Sequence, residues 1–279
     1  MPLISNVYGK GRVRVLRLFK DGDRQEVREL TVQPMLTGDF SAAFTDADNS
    51  KVVSTDTVKN VVNIVARESL NLGNEEFALA VARRFLDKYP QVETATVTAY
   101  ETKWLRHEVG GKPHPHSFTL DGNGRPFAEA KAARDGSSSV TSGVSDYTFM
   151  KSTQSGWSGY TKDPYTTIKE TDDRICATAM EARWTWRKTP ASYEAANARI
   201  LEAMLEVFAT TYSASVQDSL YRMSEAALAA VPELEQVSAA CPNKHYLLVN
   251  LAPFDLDNPN AVFTPTDEPH GQIECVVGR

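Results

Sequence analysis

The chain has 279 residues, of which 42% are apolar, and it carries a formal net charge of −6. This length suits one large domain or two of ordinary size, and the apolar content is sufficient for a substantial core. The acidic balance argues against a general nucleic-acid binder, because contacts to phosphate require a surplus of lysine and arginine. It is still compatible with a small anionic ligand bound by one or two local cations.

Cysteine usage and the two termini indicate a cytoplasmic protein. The chain has 3 cysteines at widely separated positions, an odd number that is typical of a reducing compartment and not of a disulfide framework. No apolar run approaches the roughly 20 residues of a membrane span, and the N-terminus has no basic-then-apolar signal sequence. The C-terminal tripeptide at 277–279 is not a peroxisomal signal of the Ser-Lys-Leu kind. We therefore expect neither a membrane nor a nucleic acid as a partner.

The first predicted element is a β-hairpin. Val13 and Val15 alternate with arginines, which predicts a strand with one buried face. The phase slips at 16–18, which predicts a β-bulge there. A turn at 21–23 and a returning strand over 26–32 complete the hairpin.

Two helices follow the hairpin. The first begins at Thr55 and carries four valines at i, i+3, i+4 and i+7 spacing, namely Val58, Val61, Val62 and Val65. Gly73 followed by Asn74 predicts a stop and a new cap. The second helix ends before Pro90 and is lined by Phe77, Val81 and Phe85. A segment rich in β-branched and aromatic residues at 94–104 then predicts a strand, followed by a Gly/Pro/His loop and a strand near Phe118.

The second half of the chain repeats this order of elements. Strands are predicted at 127–133 and 148–151 around a turn at 135–139, and 174–186 is extended. A long helix at 190–210 presents one stripe, formed by Asn197, Leu201, Leu205 and Phe208. Ser213 or Ser215 caps a further helix, on which Val216, Leu220, Met223 and Ala227 line up. Strands at 246–251 and 273–277 complete the second round.

Two rounds of strands, two helices and strands predict an α+β protein with two domains, at 1–133 and 134–279. Each domain buries one face of an antiparallel sheet against its helix pair. The other face and the edge strands need cover, which barrel closure or a second copy of the chain provides. We therefore expect an oligomer.

Three segments form a pattern that their separate elements do not require. The first contains Ser54-Thr55-Asp56-Thr57, preceded by Asp48-Asn49-Ser50 and followed by Lys59-Asn60. The second contains Lys151-Ser152-Thr153, Trp157, Gly159-Tyr160, Tyr165-Thr166-Thr167 and Asp173-Arg174, and the third is Pro242-Asn243-Lys244-His245-Tyr246. Together they resemble the urate oxidase (uricase) family, whose members oxidise a purine with molecular oxygen and no cofactor.

This resemblance implies a fold and an assembly. The fold is two tandem tunnelling-fold (T-fold) domains with helix pairs on the outer face of their sheets. Two chains close a barrel, and two barrels stack into a homotetramer with active sites at the subunit interfaces. Eukaryotic members commonly carry a peroxisomal tag, so its absence favours the cytoplasm of a bacterium.

The resemblance also implies a proton relay of Lys10, Thr55 and His245. Taken alone, Thr55-Asp56 would be a helix cap followed by an acidic first turn, Lys10 a solvated charge, and His245 a structural or exposed histidine. A threonine hydroxyl is too weak a base by itself. The lysine would therefore either accept its proton as a neutral amine or stay charged and stabilise the substrate anion. A histidine suits a relay because its side chain titrates near neutrality.

Substrate binding is implied for seven residues, namely Thr55, Asp56, Trp157, Arg174, Val216, Gln217 and Asn243. An arginine fork can bind a carbonyl and a ring nitrogen together, and a glutamine amide offers one donor and one acceptor to the purine edge. Taken alone, Arg174 would form a surface salt bridge and Gln217 would be a solvated helix position. Strand alternation places Asn243 and His245 on one face, so both can line one site.

Trp157 departs from the family, in which a phenylalanine stacks on the purine at this position. An indole stacks at least as well, and stacking on a base contributes about 1–3 kcal/mol. The alternatives are that Trp157 packs in the core or that the alignment is shifted by one residue. The pair in His114-Pro115-His116 resembles a structural loop of the family. No cysteine or acidic partner is spaced to complete a metal site with it.

The predicted function is oxidation of urate by O2 and water to 5-hydroxyisourate and H2O2 in purine catabolism, without a metal or cofactor. Another T-fold enzyme acting on a purine or pteridine is one alternative. Such enzymes usually anchor their substrate with a glutamate, where this chain has Gln217. A purine-binding protein without turnover is the other alternative, and the joint presence of Lys10, Thr55 and His245 argues against it.

Overall fold

The computed structural model describes residues 1–279, which divide into two compact units, Met1–Gly143 and Val144–Arg279. Each unit combines antiparallel strands with two long helices, so the predicted α+β class is confirmed. The boundary between the units lies inside one long strand, farther along the chain than the predicted division after residue 133. None of the helices is both long and apolar enough to cross a membrane.

The first unit opens with the predicted hairpin. Its strands are β1 (Tyr8–Gly9), β2 (Val13–Asp21), β3 (Arg24–Gly38), β4 (Val92–Thr102), β5 (Trp104–Val109), β6 (Lys112–Leu120) and β7 (Arg125–Ala133), and β8 (Ser138–Lys151) crosses into the second unit. Its helices are α1 (Ser41–Thr45), α2 (Thr55–Glu68) and α3 (Asn74–Lys88). The main sheet has the order β1-β3-β4-β7, with β2 also paired to β3, and β5-β6 forms a separate two-stranded sheet. The predicted loop around His114 is therefore wrong, because this segment is strand β6.

Both long helices of the first unit bury the stripes that their sequences predict. All four valines of α2 and all three apolar residues predicted to line α3 are buried in one core. The facing strand β4 buries alternate residues at Ala95, Val97 and Ala99. Val92, at the start of the strand, is buried as well. Alternating small and branched side chains on the sheet leave room for the helices, as close packing of a core requires.

Arg17 corrects the prediction of a bulge at 16–18. Strand β2 pairs with β3 residue for residue from Val13 to Asp21, with no shift of register. The inward positions of the alternation are Val13 and Arg17, and Arg17 is only 1% exposed. The apparent change of phase has a simple reason, since an arginine occupies a position that hydrophobic periodicity reserves for an apolar residue.

The Arg17 guanidinium joins the sheet to the connection between α2 and α3. Its Nη1 donates to the carbonyl oxygens of Ser69 and Leu72 at 2.9 and 2.8 Å. The guanidinium carbon lies 4.4 Å from the centroid of the Phe77 ring, in cation–π geometry. Burial, together with the nearby Arg28, lowers the pKa of Arg17 to about 10, so the side chain is still charged at neutral pH.

Replacing Arg17 by alanine should lower the free energy of unfolding by about 3–5 kcal/mol. It leaves the partly buried carbonyls of Ser69 and Leu72 without their donor, and the partly buried carboxylates of Glu76 and Glu101 without a nearby positive charge. Arg14→Ala is the matched control, since it removes an arginine from the same strand whose side chain is 73% exposed. Loss of its exposed ion pair should cost no more than about 1 kcal/mol. Urea denaturation at one protein concentration measures both changes. Equal shifts for the two variants would contradict this account.

The second unit likewise combines strands with two long helices. Its strands are the end of β8, β9 (Cys176–Trp186), β10 (Leu234–Ala240), β11 (Asn243–Leu248), β12 (Phe263–Gly271) and β13 (Glu274–Gly278), and its helices are α4 (Tyr193–Thr210) and α5 (Val216–Ala230), with a short 3-10 turn at Ala252–Phe254. The strand order is β8-β9-β10-β13, while β11 pairs with β9 and with β12. The strand predicted at 246–251 therefore begins and ends three residues earlier.

The buried stripe of α5 agrees with the prediction, but that of α4 does not. All four apolar residues predicted on α5 are buried. On α4 the buried residues are Tyr193, Ile200, Ala203, Met204 and Phe208. Of the predicted stripe only Phe208 is fully buried, because Asn197 lies at the margin, where its Oδ1 accepts from Trp184 Nε1 at 2.9 Å. The helix is thus rotated from the predicted orientation by a polar residue that is satisfied at the edge of the core.

Candidate functional site

The second unit contains an open cavity of about 360 Å³. Its walls are formed by Trp157, Ile168, Arg174, Val216, Gln217, Asn243, His245, Gly271, Gln272 and Ile273. Six of these ten residues carry predicted roles, although they come from one loop, one helix and one strand. The structure therefore brings together every predicted site residue of the second half of the chain.

Trp157 is fixed in the cavity wall through its main chain. Its N–H donates to Thr171 O at 2.7 Å, and Thr171 N–H donates back to Trp157 O at 3.0 Å. The preceding Gly156 has no room for a side chain, because a Cβ atom there would lie 2.2 Å from the Tyr212 hydroxyl. That hydroxyl donates to Asp172 O at 2.9 Å and closes the loop. The indole is half-buried, so it presents a flat apolar surface to the cavity.

Arg174 is anchored at its near end and unengaged at its far end. Its main-chain N–H donates to Ser155 O at 2.9 Å, and its Nε donates to Gly156 O at 3.2 Å. The two terminal nitrogens make no hydrogen bond or ion pair within the chain. A guanidinium held in this way is a preorganised fork for a planar acceptor.

Helix α5 begins at the cavity. Ser215 is its N-cap, and the Ser215 side chain accepts from Asp218 N–H at 3.0 Å. The N–H groups of Val216 and Gln217 precede the first intrahelical bond and have no partner in the helix. Both residues line the cavity, so two main-chain donors and the positive end of the helix dipole are available to a ligand carbonyl.

Strand β11 supplies an amide and an imidazole to the cavity wall. Asn243 is 9% exposed and pairs with Thr178 of β9 and Gly271 of β12, so its position is set from both sides. His245 pairs with Thr266 of β12 and lines the cavity together with Asn243. The amide and the imidazole thus face one space, as the alternation of a strand requires.

The remaining predicted residues lie in the first unit. Thr55 is the first residue of α2, but the helix cap is Ser54, whose Oγ accepts from Thr57 N–H at 3.1 Å. The hypothesis that Thr55 is the helix cap is therefore wrong. The Thr55 hydroxyl makes no hydrogen bond within the chain and is exposed. It is available for chemistry because its neighbour performs the structural task.

Asp56 follows in the first turn of α2, where an acidic residue is favoured by the helix dipole. Its carboxylate forms an ion pair with Lys59 at 2.6 Å and accepts from the Asn60 amide at 3.0 Å. Lys59 is the main cause that lowers the pKa of Asp56, and Lys10 contributes further through its charge. The electrostatic effect places Lys10 near the start of α2.

A tyrosine holds Lys10 in this place. The Tyr8 hydroxyl donates to Val53 O at 3.1 Å and accepts from Val53 N–H at 2.8 Å. Strand β1 is thereby attached to the segment just before α2. Gly9 permits close pairing with β3, since a Cβ atom at this residue would lie 1.9 Å from Pro34 O. The first unit thus brings Lys10 and the Thr55-Asp56 pair to one surface.

The histidines of strand β6 form a pair without further ligands. The rings of His114 and His116 lie with their centroids 4.6 Å apart. No group of three or more histidine, cysteine, aspartate or glutamate side chains in the chain is placed to hold a metal.

Comparison with known proteins decides the family. The uricase family model matches residues 6–131 and 140–274. The chain is 37% identical to the uricase of Dictyostelium discoideum over 280 residues, which are 99% of this chain and 97% of that protein. The chain belongs to the uricase family. It is also 36% identical to the uricase of Arthrobacter globiformis over 276 residues, or 99% of this chain and 89% of that protein.

Solved structures of the uricase family share the fold. The crystal structure of the uricase from Arthrobacter globiformis has a TM-score of 0.94 and 35% identity to this chain, and covers 100% of this chain and 95% of that chain. The urate oxidase of Bacillus sp. TB-90 is similar in fold, with a TM-score of 0.86 at 21% identity over 98% of this chain and 100% of that chain. The predicted tandem T-fold is confirmed by this family membership.

Four residues of the cavity were not predicted from the sequence of this uricase-family chain. Ile168 lies within the second motif segment, directly after Thr166-Thr167, so its proximity to the other motif residues was a usable signal. Gly271, Gln272 and Ile273 join the cavity only because β12 pairs with β11 at Asn243. No local pattern at 271–273 marks them, since a long-range strand pairing is not visible in a single sequence.

Proposed function

We propose that the chain is a cofactor-independent urate oxidase, which converts urate, O2 and water into 5-hydroxyisourate and H2O2 in purine catabolism. The observation that carries this proposal is the cavity of the second unit. It places an aromatic face, an unengaged guanidinium and a helix N-terminus around one space. These are the groups that a flat, anionic, carbonyl-rich heterocycle requires.

Binding follows from the geometry of the cavity walls. The purine stacks on Trp157, which contributes about 1–3 kcal/mol. Arg174 donates two parallel hydrogen bonds to a carbonyl oxygen and an adjacent ring nitrogen. The Gln217 amide pairs with the amide edge of the pyrimidine ring, and the N–H groups of Val216 and Gln217 bind a further carbonyl. The Arg174 guanidinium and the N–H groups at the start of α5 favour the anion of urate over neutral purines.

Deprotonation is the task of Lys10, Thr55 and His245. The Thr55 hydroxyl passes a proton between the substrate and Lys10, and His245 exchanges it with water on the other side. The electron-rich anion then gives one electron to O2 and a second in a following step, which avoids the spin restriction on direct two-electron attack. Water adds at C5 near Asn243, O2 leaves as H2O2, and the two electrons come from the purine alone. The protein supplies proton transfer, orientation and exclusion of water.

Assembly completes the site. Lys10, Thr55 and Asp56 lie in the first unit, whereas the cavity residues lie in the second. We propose a homotetramer in which the first unit of one protomer meets the cavity of another, so that each site belongs to two chains. The exposed apolar side chains of strand β11 and of the segment after it, including Leu247, Leu248 and Phe254, are suited to burial between such chains.

Mixing urate with protein that has been treated with a chelator tests the function directly. We expect the ultraviolet absorbance of urate to fall and one H2O2 to appear for each urate consumed. Turnover that needs an added metal or flavin would refute a cofactor-independent reaction. Binding of urate without loss of absorbance would instead support a purine-binding protein, and turnover of a pteridine but not of urate would support a different T-fold enzyme.

Cys241 lies next to the cavity in which H2O2 would form, so its reactivity towards H2O2 matters. Cys241 is 3% exposed, and its N–H donates at 2.8 Å to the carbonyl of Ile273, a residue of the cavity wall. Burial raises the pKa of the Cys241 thiol from 9.0 to about 12. The thiolate is the nucleophile that attacks peroxide and alkylating reagents, so a thiol that stays protonated is inert. The folded state favours the neutral thiol; this contribution to stability is complete below pH 9.0 and is lost as pH rises from there towards about 12.

Cys241 should therefore remain unmodified when the native protein is incubated at pH 8 with iodoacetamide or with H2O2. In urea-unfolded protein the same thiol should react fully, because its ordinary pKa is restored. Mass spectrometry of the Cys241 peptide measures both reactions. Cys275→Ser provides a background in which a second thiol, only partly buried, does not contribute. Modification of Cys241 at equal rates in folded and unfolded protein would contradict the expectation.

A further inference from the structure

The Trp157 indole is covered on one side by a second aromatic ring. The centroids of Trp157 and Tyr160 are 5.5 Å apart and their planes differ by 13°, which is an offset stack. Trp157 lines the cavity, whereas Tyr160 does not. The Nζ atom of Lys162 lies 5.8 Å from the centroid of the Tyr160 ring. The cavity-lining indole is therefore stacked on Tyr160, and the Lys162 ammonium group lies near the Tyr160 ring.

Tyr160 is also tied to another part of the cavity wall. Its hydroxyl donates to the carbonyl oxygen of Ile168 at 2.8 Å, and Ile168 lines the cavity. The turn before Tyr160 is held by Gly159, whose N–H donates to Glu170 Oε1 at 3.0 Å, while Glu170 pairs with Lys162 at 3.2 Å. One side chain thus connects the indole with a second wall residue of the same cavity.

This arrangement restricts the indole before a ligand arrives. A half-buried tryptophan without a neighbour on its outer side would lose rotamer freedom when a purine stacks on it, and that loss weakens binding. The ring of Tyr160 removes this freedom in advance. We propose that Tyr160 is a positioning residue that holds Trp157 in the orientation for stacking on the substrate. The inference rests on the proposed function, because the stacked ligand is the purine.

The first test measures binding of the unreactive purine analogue 8-azaxanthine by calorimetry. Tyr160→Leu removes the ring and should weaken binding about fivefold to tenfold, the value of one aromatic stack. Tyr160→Phe keeps the ring and loses only the bond to Ile168, so it should recover most of the affinity. For urate we expect KM to rise and kcat to change less than about twofold, since Tyr160 touches no reacting atom. Tyr221→Leu, an exposed tyrosine of the same unit, should change neither quantity.

A double-mutant cycle separates positioning from general stabilisation of the loop. In a Trp157→Ala background, Tyr160→Leu should change the affinity for 8-azaxanthine by less than about twofold, because the side chain on which it acts is absent. Equal losses in both backgrounds would overturn the proposal. Circular dichroism needs no ligand: the coupling band of two stacked rings should be absent in Tyr160→Leu and in Trp157→Ala, and present in Tyr160→Phe.

Assays of the unchanged protein and assays of the Tyr160 variants distinguish failure of the proposed function from failure of the role of Tyr160. If the unchanged protein neither oxidises urate nor binds the analogue, the proposed function fails and this inference fails with it. If it does both, and the coupling band is missing or the cycle is additive, only the role of Tyr160 is wrong. A coupling band together with a non-additive cycle supports it.

Discussion

Replacing Lys10 by methionine should lower kcat for urate by roughly 10²–10⁴-fold, the range for loss of a proton-transfer group. Methionine keeps the length and the apolar stem of lysine but has no amine. Affinity for 8-azaxanthine should change by less than about threefold, because in the proposed relay Lys10 acts on the Thr55 hydroxyl and not on the ligand. Steady-state kinetics and calorimetry provide the two measurements. Lys20→Met, at an exposed hairpin end, is the matched control and should retain full turnover.

Lys10 and Thr55 should behave as one unit. Thr55→Ala is expected to reduce kcat to the same degree, and the double variant should be scarcely slower than either single variant. If the losses multiply instead, the two side chains act in separate steps. An equal loss of turnover and of analogue binding would mean that Lys10 contacts the ligand, and the relay would then have to be abandoned.

Arg174→Ala should weaken binding of urate and of 8-azaxanthine by about 10–100-fold, since hydrogen bonds to a charged donor contribute about 1.5–3 kcal/mol. The bond from Arg174 Nε to Gly156 O already orients the guanidinium, so little entropy is lost when it binds a ligand. Removing it should therefore cost the full contribution of its hydrogen bonds. Arg174→Lys should restore only part of the affinity, because an ammonium group has the charge without the planar pair of donors. Full recovery by lysine would show that charge alone matters.

Mixing Lys10→Met with Arg174→Ala, and assaying at a urate concentration well below the KM of Arg174→Ala, tests whether a site belongs to two chains. Lys10→Met and Arg174→Ala lie in different units, so a mixed pair of subunits contains one site in which both residues are intact. With random association about a quarter of all sites should regain activity. The variants are co-expressed with two different affinity tags, and mixed assemblies are isolated on both. No recovery in these assemblies would contradict a shared site.

The elements with clean periodicity were predictable from the sequence, and those containing a polar residue in an inner position were not. The valines of α2 and the apolar residues of α5 gave the right buried faces, because nothing polar interrupts them. Arg17 and Asn197 misled the predictions for β2 and α4. Each is accommodated by partners distant in sequence, the carbonyls after α2 and the Trp184 indole. Such partners appear only once the chain is folded.

The candidate site shows the same division. Four cavity residues, Trp157, Arg174, Asn243 and His245, were predicted because they lie in motif segments that resemble the family. Val216 and Gln217 lie outside those segments and were implied only by the resemblance. The residues at 271–273 were missed, because pairing of β12 with β11 brings them to the cavity and leaves no local trace. The identity of the cap of α2 was also beyond a reading of composition, since Ser54 and Thr55 are both good caps and only the hydroxyl geometry separates them.

The cap of α2 has a consequence for protein engineering. Ser54 caps this helix, so the hydroxyl of the neighbouring Thr55 has no capping role. A substitution that moves the start of the helix by one residue towards its C-terminus would recruit Thr55 as the new cap. On the proposed function, such a change would engage the hydroxyl on which the proton relay depends and so lower turnover. On the proposed function, stabilising designs for this chain should therefore keep Ser54 as the helix cap.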